Sequence, residues 1–330
     1  MAAASGRQGQ MEDRTYTLSQ TRYEVCTTIH HWQLRDLVSA GDSSDEMLCV
    51  CDSSVLHYNC ATREVTSVLS LDWCPNSMTY AHGILAAGGP SSQLFVKDLR
   101  DKRVLHRDPL GGSVNNAVHI AKPNGRLMLW ACNNDYIVKV YNIESNSLTP
   151  NTSFRTPVPI NYCALSPDGR YLSCVGDCSD TMVYAVREGG YSRIQSFRQA
   201  HDTGISTAWS PSGSFLASAH QDGTLAVWDM RASAPVHKYR LNSACRNVKF
   251  SPGVLDLMAF AEHEDLAHIV DVRQWSAVQH LNAGCGQGHD ITGIAFAAAS
   301  DRLWVGLDEC VLAYELDTVA RRAFGHGSLC

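Results

Sequence analysis

The chain of 330 residues is poor in charge, at 18% of residues with a formal net charge of −6. That excludes the basic excess a general nucleic-acid or anionic-membrane surface needs. No apolar run approaches the ~20 residues of a membrane-spanning helix. Met1 to Arg14 is small and polar without an apolar stretch, so the sequence predicts no signal peptide and a disordered tail over residues 1–13. Among 13 cysteines no Cys-x-x-Cys pair occurs, so zinc-knuckle spacing is missing. Many cysteines sit in apolar runs, such as Cys49 and Cys51 in Met-Leu-Cys-Val-Cys, where a reduced thiol serves as a small hydrophobe. This usage points to the cytoplasm or nucleus.

Catalytic signatures are equally scarce. Neither Gly-x-Ser-x-Gly nor His-Glu-x-x-His occurs. Gly284-Cys-Gly-Gln-Gly288 precedes a strand pattern rather than a helix, which makes it a poor phosphate cradle. His30-His31 and Glu262-His263 are adjacent pairs, and neighbours on a strand point to opposite faces, so neither pair chelates by itself. The sequence therefore predicts no catalytic residue, no metal and no cofactor.

What is present is a repeat. From His201 to Arg231 three strands alternate with turns: Ile205–Ser210, Pro211-Ser-Gly213, Phe215–His220, Gln221-Asp222-Gly223, then Thr224–Asp229. The six-residue spacing from Asp222 to Trp228 recurs along the chain. Its first position falls on Asp52, Ser91, Asp135, Asp180, Asp222, Glu264 and Asp308, at intervals of 39, 44, 45, 42, 42 and 44. Its second falls on Tyr58, Lys97, Tyr141, Val186, Trp228, Val270 and Tyr314. Pro123, Pro167, Pro211 and Pro252 give an independent marker at intervals of 44, 44 and 41. The recurring acids read as turn formers, since a carboxylate there accepts backbone N–H bonds.

Four short strands every 40–45 residues predict an all-β, seven-bladed β-propeller, because a lone blade cannot bury both faces and radial stacking can. The predicted blades are 34–69, 70–107, 113–155, 158–198, 201–241, 243–281 and 289–324 within one domain, residues 30–330. Residues 14–29 alternate and read as a docking segment or a closing strand. Residues 320–324 compete for the same outer place in blade seven.

These repeats resemble the WD40 family over nearly the whole chain from about residue 30. His201, Ser218, Asp222 and Trp228 fit the hydrogen-bonded tetrad of such a repeat, and Gly288-His289 resembles its opening dipeptide. Lys97, Val186 and Val270 depart from it by replacing the tryptophan. The run Phe250-Ser-Pro-Gly-Val-Leu-Asp-Leu-Met-Ala-Phe-Ala-Glu-His263, with Ile269-Val-Asp-Val-Arg273, is similar to a short uncharacterised domain inside a mostly fungal WD40 family. That family includes a substrate receptor of the GID ubiquitin ligase, which binds proteins by their N-terminal residues. The resemblance implies an adaptor whose partners are proteins or peptides, with ligase subunits and substrate N-termini among them. An assembly scaffold for RNA processing or trafficking is the alternative. Neither nucleic acid nor membrane is an expected partner.

Loops on a rigid scaffold carry recognition residues. The loops around one mouth of the channel carry Asn115, Asn116, Asn133, Asn134, Asn161, Asp177, His220, Gln221, Arg246, Glu262 and His263. This polar set suits an extended peptide. Asp177 and Glu262 are placed near a terminal amine, and Asn115, Asn161 and Arg246 on peptide carbonyls. Trp73, Trp275 and Trp304 are the aromatics outside the repeat positions, with Trp304 expected in the core.

Overall fold

A computed structural model describes residues 12–13, 15–232 and 234–322. It contains seven sheets, each built on four antiparallel strands, which are consecutive in the chain in every sheet but the last. Blade five shows the pattern: Gly204–Trp209 innermost, then Phe215–His220, Thr224–Asp229 and Pro235–Arg240 at the rim. The second and third strands are almost wholly buried, whereas the rim strand alternates buried and exposed. A strand covered on both faces reads as a continuous apolar run, and a half-covered one alternates.

The innermost strands of blades one to seven are Val38–Ala40, Ser77–Ala81, Asn115–Ala121, Ile160–Leu165, Gly204–Trp209, Cys245–Phe250 and Ile291–Phe296. Each packs against the next, and Ile291–Phe296 packs against Val38–Ala40, so the ring is closed. Seven buried apolar clusters result, one at every junction between blades. At the junction of blades four and five, Phe197 stacks on Trp228 at 4.4 Å between ring centroids. Burying each such side chain contributes about 1.5–3 kcal/mol. Six of the described cysteines, including Cys49, Cys132 and Cys163, are buried in strands or beside them, and all described cysteines are free thiols.

The N-terminal segment completes blade seven. Thr17–Tyr23 runs antiparallel to Val311–Leu316, with Thr17 opposite Leu316 and Tyr23 opposite Val311. Upstream, Tyr16 is buried among blades six and seven, and its hydroxyl donates to the Ala277 carbonyl at 3.2 Å. Of the tail expected to be disordered, residues 1–11 lie outside the described residues, and Glu12–Asp13 pairs in parallel with Ala277–Val278. The competing C-terminal stretch does not take the rim place. Thr318–Arg322 is a short helix, and residues 323 onward lie outside the described residues.

The blade-five tetrad needs one correction. Trp228 Nε1 donates to Ser218 Oγ at 3.4 Å, as the repeat pattern requires. The histidine beside Ser218 is His220, at 3.2 Å, and not His201. His201 is exposed and supplies only its backbone N–H to Asp222 at 2.8 Å. The second strand ends on His220, whose ring folds back over the residue two before it on the same face. The spacing ruler could not separate these two histidines. Where Lys97 replaces the tryptophan, its ammonium instead donates to the Val68 carbonyl of blade one at 2.7 Å.

Two of the recurrent acids accept turn N–H bonds as expected. Asp222 Oδ1 accepts the Thr224 N–H at 3.0 Å, and Asp135 Oδ1 accepts that of Ile137 at 3.1 Å. Asp180 departs, since it is the first residue of a strand and pairs with Arg198 at 2.6 Å.

Candidate functional site at the channel mouth

Five of the inner strands share one irregularity at their second residue. In blades three to seven the register slips across Asn116, Asn161, Ile205, Arg246 and Thr292. A bulge leaves one residue out of the ladder and re-aims its side chain. In blades three and four the re-aimed residue clamps the next blade. Asn116 Nδ2 donates to the Ile160 carbonyl at 3.0 Å, and Asn161 Nδ2 donates to the Gly204 carbonyl at 3.1 Å.

This accounts for most of the amides placed at the mouth by sequence, and corrects their role. Asn115 and Asn133 are fully buried and bonded to each other at 2.9 Å. Asn115 also donates to the Gln93 carbonyl at 2.8 Å, which ties blade three to blade two. Asn116 and Asn161 are spent on the clamps, with Asn134 accepting from Asn116 at 3.2 Å and Asp177 from Asn161 at 3.1 Å. Asn134 and Asp177 remain exposed.

Glu262 needs the same correction. It is 3% exposed. One oxygen accepts from the Ser243 N–H and hydroxyl, both at 2.9 Å, and the other lies 3.1 Å from His268 Nε2. Burial works against its charge, but the His268 and Ser243 bonds outweigh that and hold its carboxyl below the ordinary range. Three of its roughly four acceptor sites are engaged and the group is buried, so it is poorly placed to receive a ligand amine. His220, also assigned to the mouth, is buried against Ser218, and burial pushes its pKa down to about 4.

Three of the predicted residues do converge. Gln221, Arg246 and His263 line an open depression of about 750 Å3 together with His31, Trp32 and Asp290. Arg246 stands at the bulge of blade six, where asparagine stands in blades three and four. Its Nη1 donates to Gln221 Oε1 of blade five. Beside it lies Arg35, which precedes blade one. Arg35 Nη1 donates to the carbonyls of His31 at 2.7 Å and Leu34 at 3.1 Å, and its Nη2 lies 3.4 Å from Asp290 Oδ1. Both arginines are 4% exposed. Burial lowers the Arg246 pKa to about 10, with the neighbouring Arg35 charge adding to the effect.

The rim is aromatic on one side. Trp32 is 66% exposed and stacks on His31 at 6.4 Å between centroids. Neither Trp32 nor Arg35 stands out in the sequence, because both precede the first strand of blade one, Val38–Ala40, and carry no mark of the repeat. The tryptophans that were singled out are structural. Trp304 is fully buried, Trp275 packs into the junction of blades five and six, and Trp73 lies against Gly89.

Below the mouth a buried ion pair crosses the channel. Lys249 of blade six lies 2.9 Å from Asp36 of blade one and donates to the Tyr162 hydroxyl of blade four at 2.8 Å. Burial works against the Lys249 charge, but Asp36 and Tyr162 outweigh it and raise its pKa above the ordinary lysine value. For a metal, His263, Glu264 and Asp290 bring one ligand atom each within 4.8 Å of one another. Two guanidiniums on the same depression oppose a cation there, and Asp290 already serves Arg35. No described helix is long and apolar enough to cross a membrane.

Comparison with known proteins agrees with the architecture. Residues 192–229 match the WD domain, G-beta repeat, and residues 243–281, the whole of blade six, match an uncharacterised protein domain (DUF2415). An uncharacterized protein of Schizosaccharomyces pombe is 25% identical over 94% of each chain. An uncharacterized protein of Saccharomyces cerevisiae is 24% identical over 50% of this chain, which spans 28% of that protein. The target of rapamycin complex subunit wat1 of S. pombe is 25% identical over 30% of this chain and 32% of its own. Among solved structures, a chain in the crystal structure of the mitotic checkpoint complex superimposes with a TM-score of 0.75 over 96% of each chain, at 13% identity. The chain is a seven-bladed β-propeller that carries a WD40 repeat, followed directly by a blade of the DUF2415 type.

Proposed function

We propose that this propeller is a non-catalytic adaptor that seats an extended segment of a partner protein in the depression lined by Trp32, Gln221, Arg246, His263 and Asp290. WD40 propellers serve in general as scaffolds for protein interaction, and the relatives do not narrow the partner further. The observation that carries the reading is the exposed Trp32 beside a buried, ion-unpaired Arg246. Trp and Arg are the residues most enriched where binding energy concentrates. The depression is open, which suits an extended segment laid across it rather than an enclosed small molecule.

Service as a substrate receptor of a GID-type ubiquitin ligase is the narrower form of the reading, and rests on the blade-six likeness. Recognition of a free N-terminus would then use exposed Asp177 rather than Glu262. The test is a displayed library of random peptides, with free and blocked termini, panned on the full chain and on Trp32→Ala. The reading expects peptides enriched on the wild type and lost on the variant. Enrichment that is the same on both would overturn it.

A further inference from the structure

We propose that the channel-mouth depression binds a carboxylate of the docked segment, an Asp or Glu side chain or a C-terminus, against the guanidinium of Arg246. The inference rests on the docking reading above and supplies its chemistry.

Charge is the first ground. Two buried guanidiniums, Arg35 and Arg246, face one depression. A single carboxylate answers them, Asp290, 3.4 Å from Arg35. Among the described residues no carboxylate lies within 4.0 Å of Arg246. One buried positive charge is therefore unbalanced, a costly arrangement unless a counter-charge arrives.

Hydrogen bonding is the second ground. Among the described residues Arg246 donates one side-chain bond, from Nη1 to Gln221, and its Nε is buried without an acceptor. A guanidinium offers five donors in a planar fork that matches a carboxylate. The bulge explains why the fork is free. It sets Arg246 at the position where asparagine clamps the next blade in blades three and four, and the arginine bonds Gln221 of the preceding blade instead.

The same geometry selects among ligands. A terminal amine would meet Arg35 and Arg246 and be repelled. A phosphate dianion exceeds the single unmatched charge, and Asp290, 3.3 Å from His263 on the wall of the depression, repels its second charge. A monoanionic carboxylate balances the site, and the exposed ring of Trp32 offers a wall for the apolar atoms that carry it.

The test titrates the full chain with four probes: N-acetylglycine, acetylglutamate α-amide, glycinamide and inorganic phosphate. The readout is the indole N–H resonance of Trp32, assigned with Trp32→Phe. Saturable shifts are expected with the two carboxylates, at dissociation constants of about 1 mM. Whichever of the two binds tighter identifies the source as terminus or side chain. Arg246→Gln should weaken both about tenfold or more, and Arg246→Lys should recover part of the loss, because an ammonium keeps the charge without the fork. Glycinamide or phosphate binding as tightly as the carboxylates would overturn the inference, as would unchanged carboxylate binding by a folded Arg246→Gln. If Arg246→Gln does not fold, the selectivity of the wild type decides alone. Carboxylate binding without any peptide enriched at the mouth would refute the docking reading and leave this one standing. Peptides that bind equally with every acid amidated would do the reverse.

Discussion

Arg246 and Asn161 occupy the same bulged second position on inner strands two blades apart, and they spend it differently. Asn161 donates across the junction to the Gly204 carbonyl at 3.1 Å, whereas Arg246 reaches sideways to Gln221 and leaves its charge unpaired. One is a structural clamp, and the other keeps a buried Nε without an acceptor.

The two should therefore respond to substitution with opposite sign. Asn161→Ala strands a buried carbonyl and removes the amide from Asp177, so we expect a loss of about 1–3 kcal/mol. Urea unfolding followed by intrinsic fluorescence reads this as a lower midpoint.

Arg246→Gln should be neutral or stabilising, by up to about 2 kcal/mol, since it removes one of two neighbouring buried like charges. The same unfolding curve should move to a higher midpoint. A marked fall would show that the charge is balanced in the folded state.

Acid should destabilise the ring through two histidines. His119 is enclosed by Trp130, Lys249 and Asp36, and accepts the Leu165 N–H on Nε2 at 3.2 Å. His220 faces the Asp202 carbonyl, Asp222, Lys238 and Ser218. Burial is the largest cause in both, and pushes each pKa down to about 4. A histidine near 6.5 when unfolded then binds its proton in the unfolded state first. Stability is full above about pH 6.5 and falls as pH drops toward 4, by on the order of 3 kcal/mol per histidine. Thermal melts at pH 7.5 and 5.0 should show the loss, and His119→Gln should shrink it.

Deleting residues 1–23 should strip blade seven of its rim strand. Val311–Leu316 would lose its partner strand and present a bare edge, and the junction of blades six and seven would lose Tyr16. Six backbone pairings at about 1 kcal/mol net each put the cost on the order of 5 kcal/mol. Light scattering should report association of the truncated chain, because an exposed edge pairs with other edges.

Blade number was legible in sequence because the turn acids and prolines recur at a fixed interval, and because buried strands read as short apolar runs. The ends of the side-chain networks were not. His201 and His220 differ by a ring's direction, which no spacing records. Asn116, Asn161 and Glu262 looked available because they are polar and lie in loops or at strand ends. A bulge had turned the two amides inward, and His268 had claimed the acid. Arg35 and Trp32 escaped notice because they lie well ahead of the first recurring turn acid, Asp52, where nothing marks them.

The most direct measurement of the docking claim is site-specific photocrosslinking in cells. A photoreactive phenylalanine analogue is placed at Trp32 on the mouth, at Ile194 on a rim strand, and at Val254 in a loop between the first and second strands of blade six. All three positions are exposed, at 66%, 47% and 74%. The account predicts a discrete protein adduct from position 32 that Arg246→Gln abolishes, with none from the other two. Adducts from 194 or 254 with nothing at 32 would contradict it.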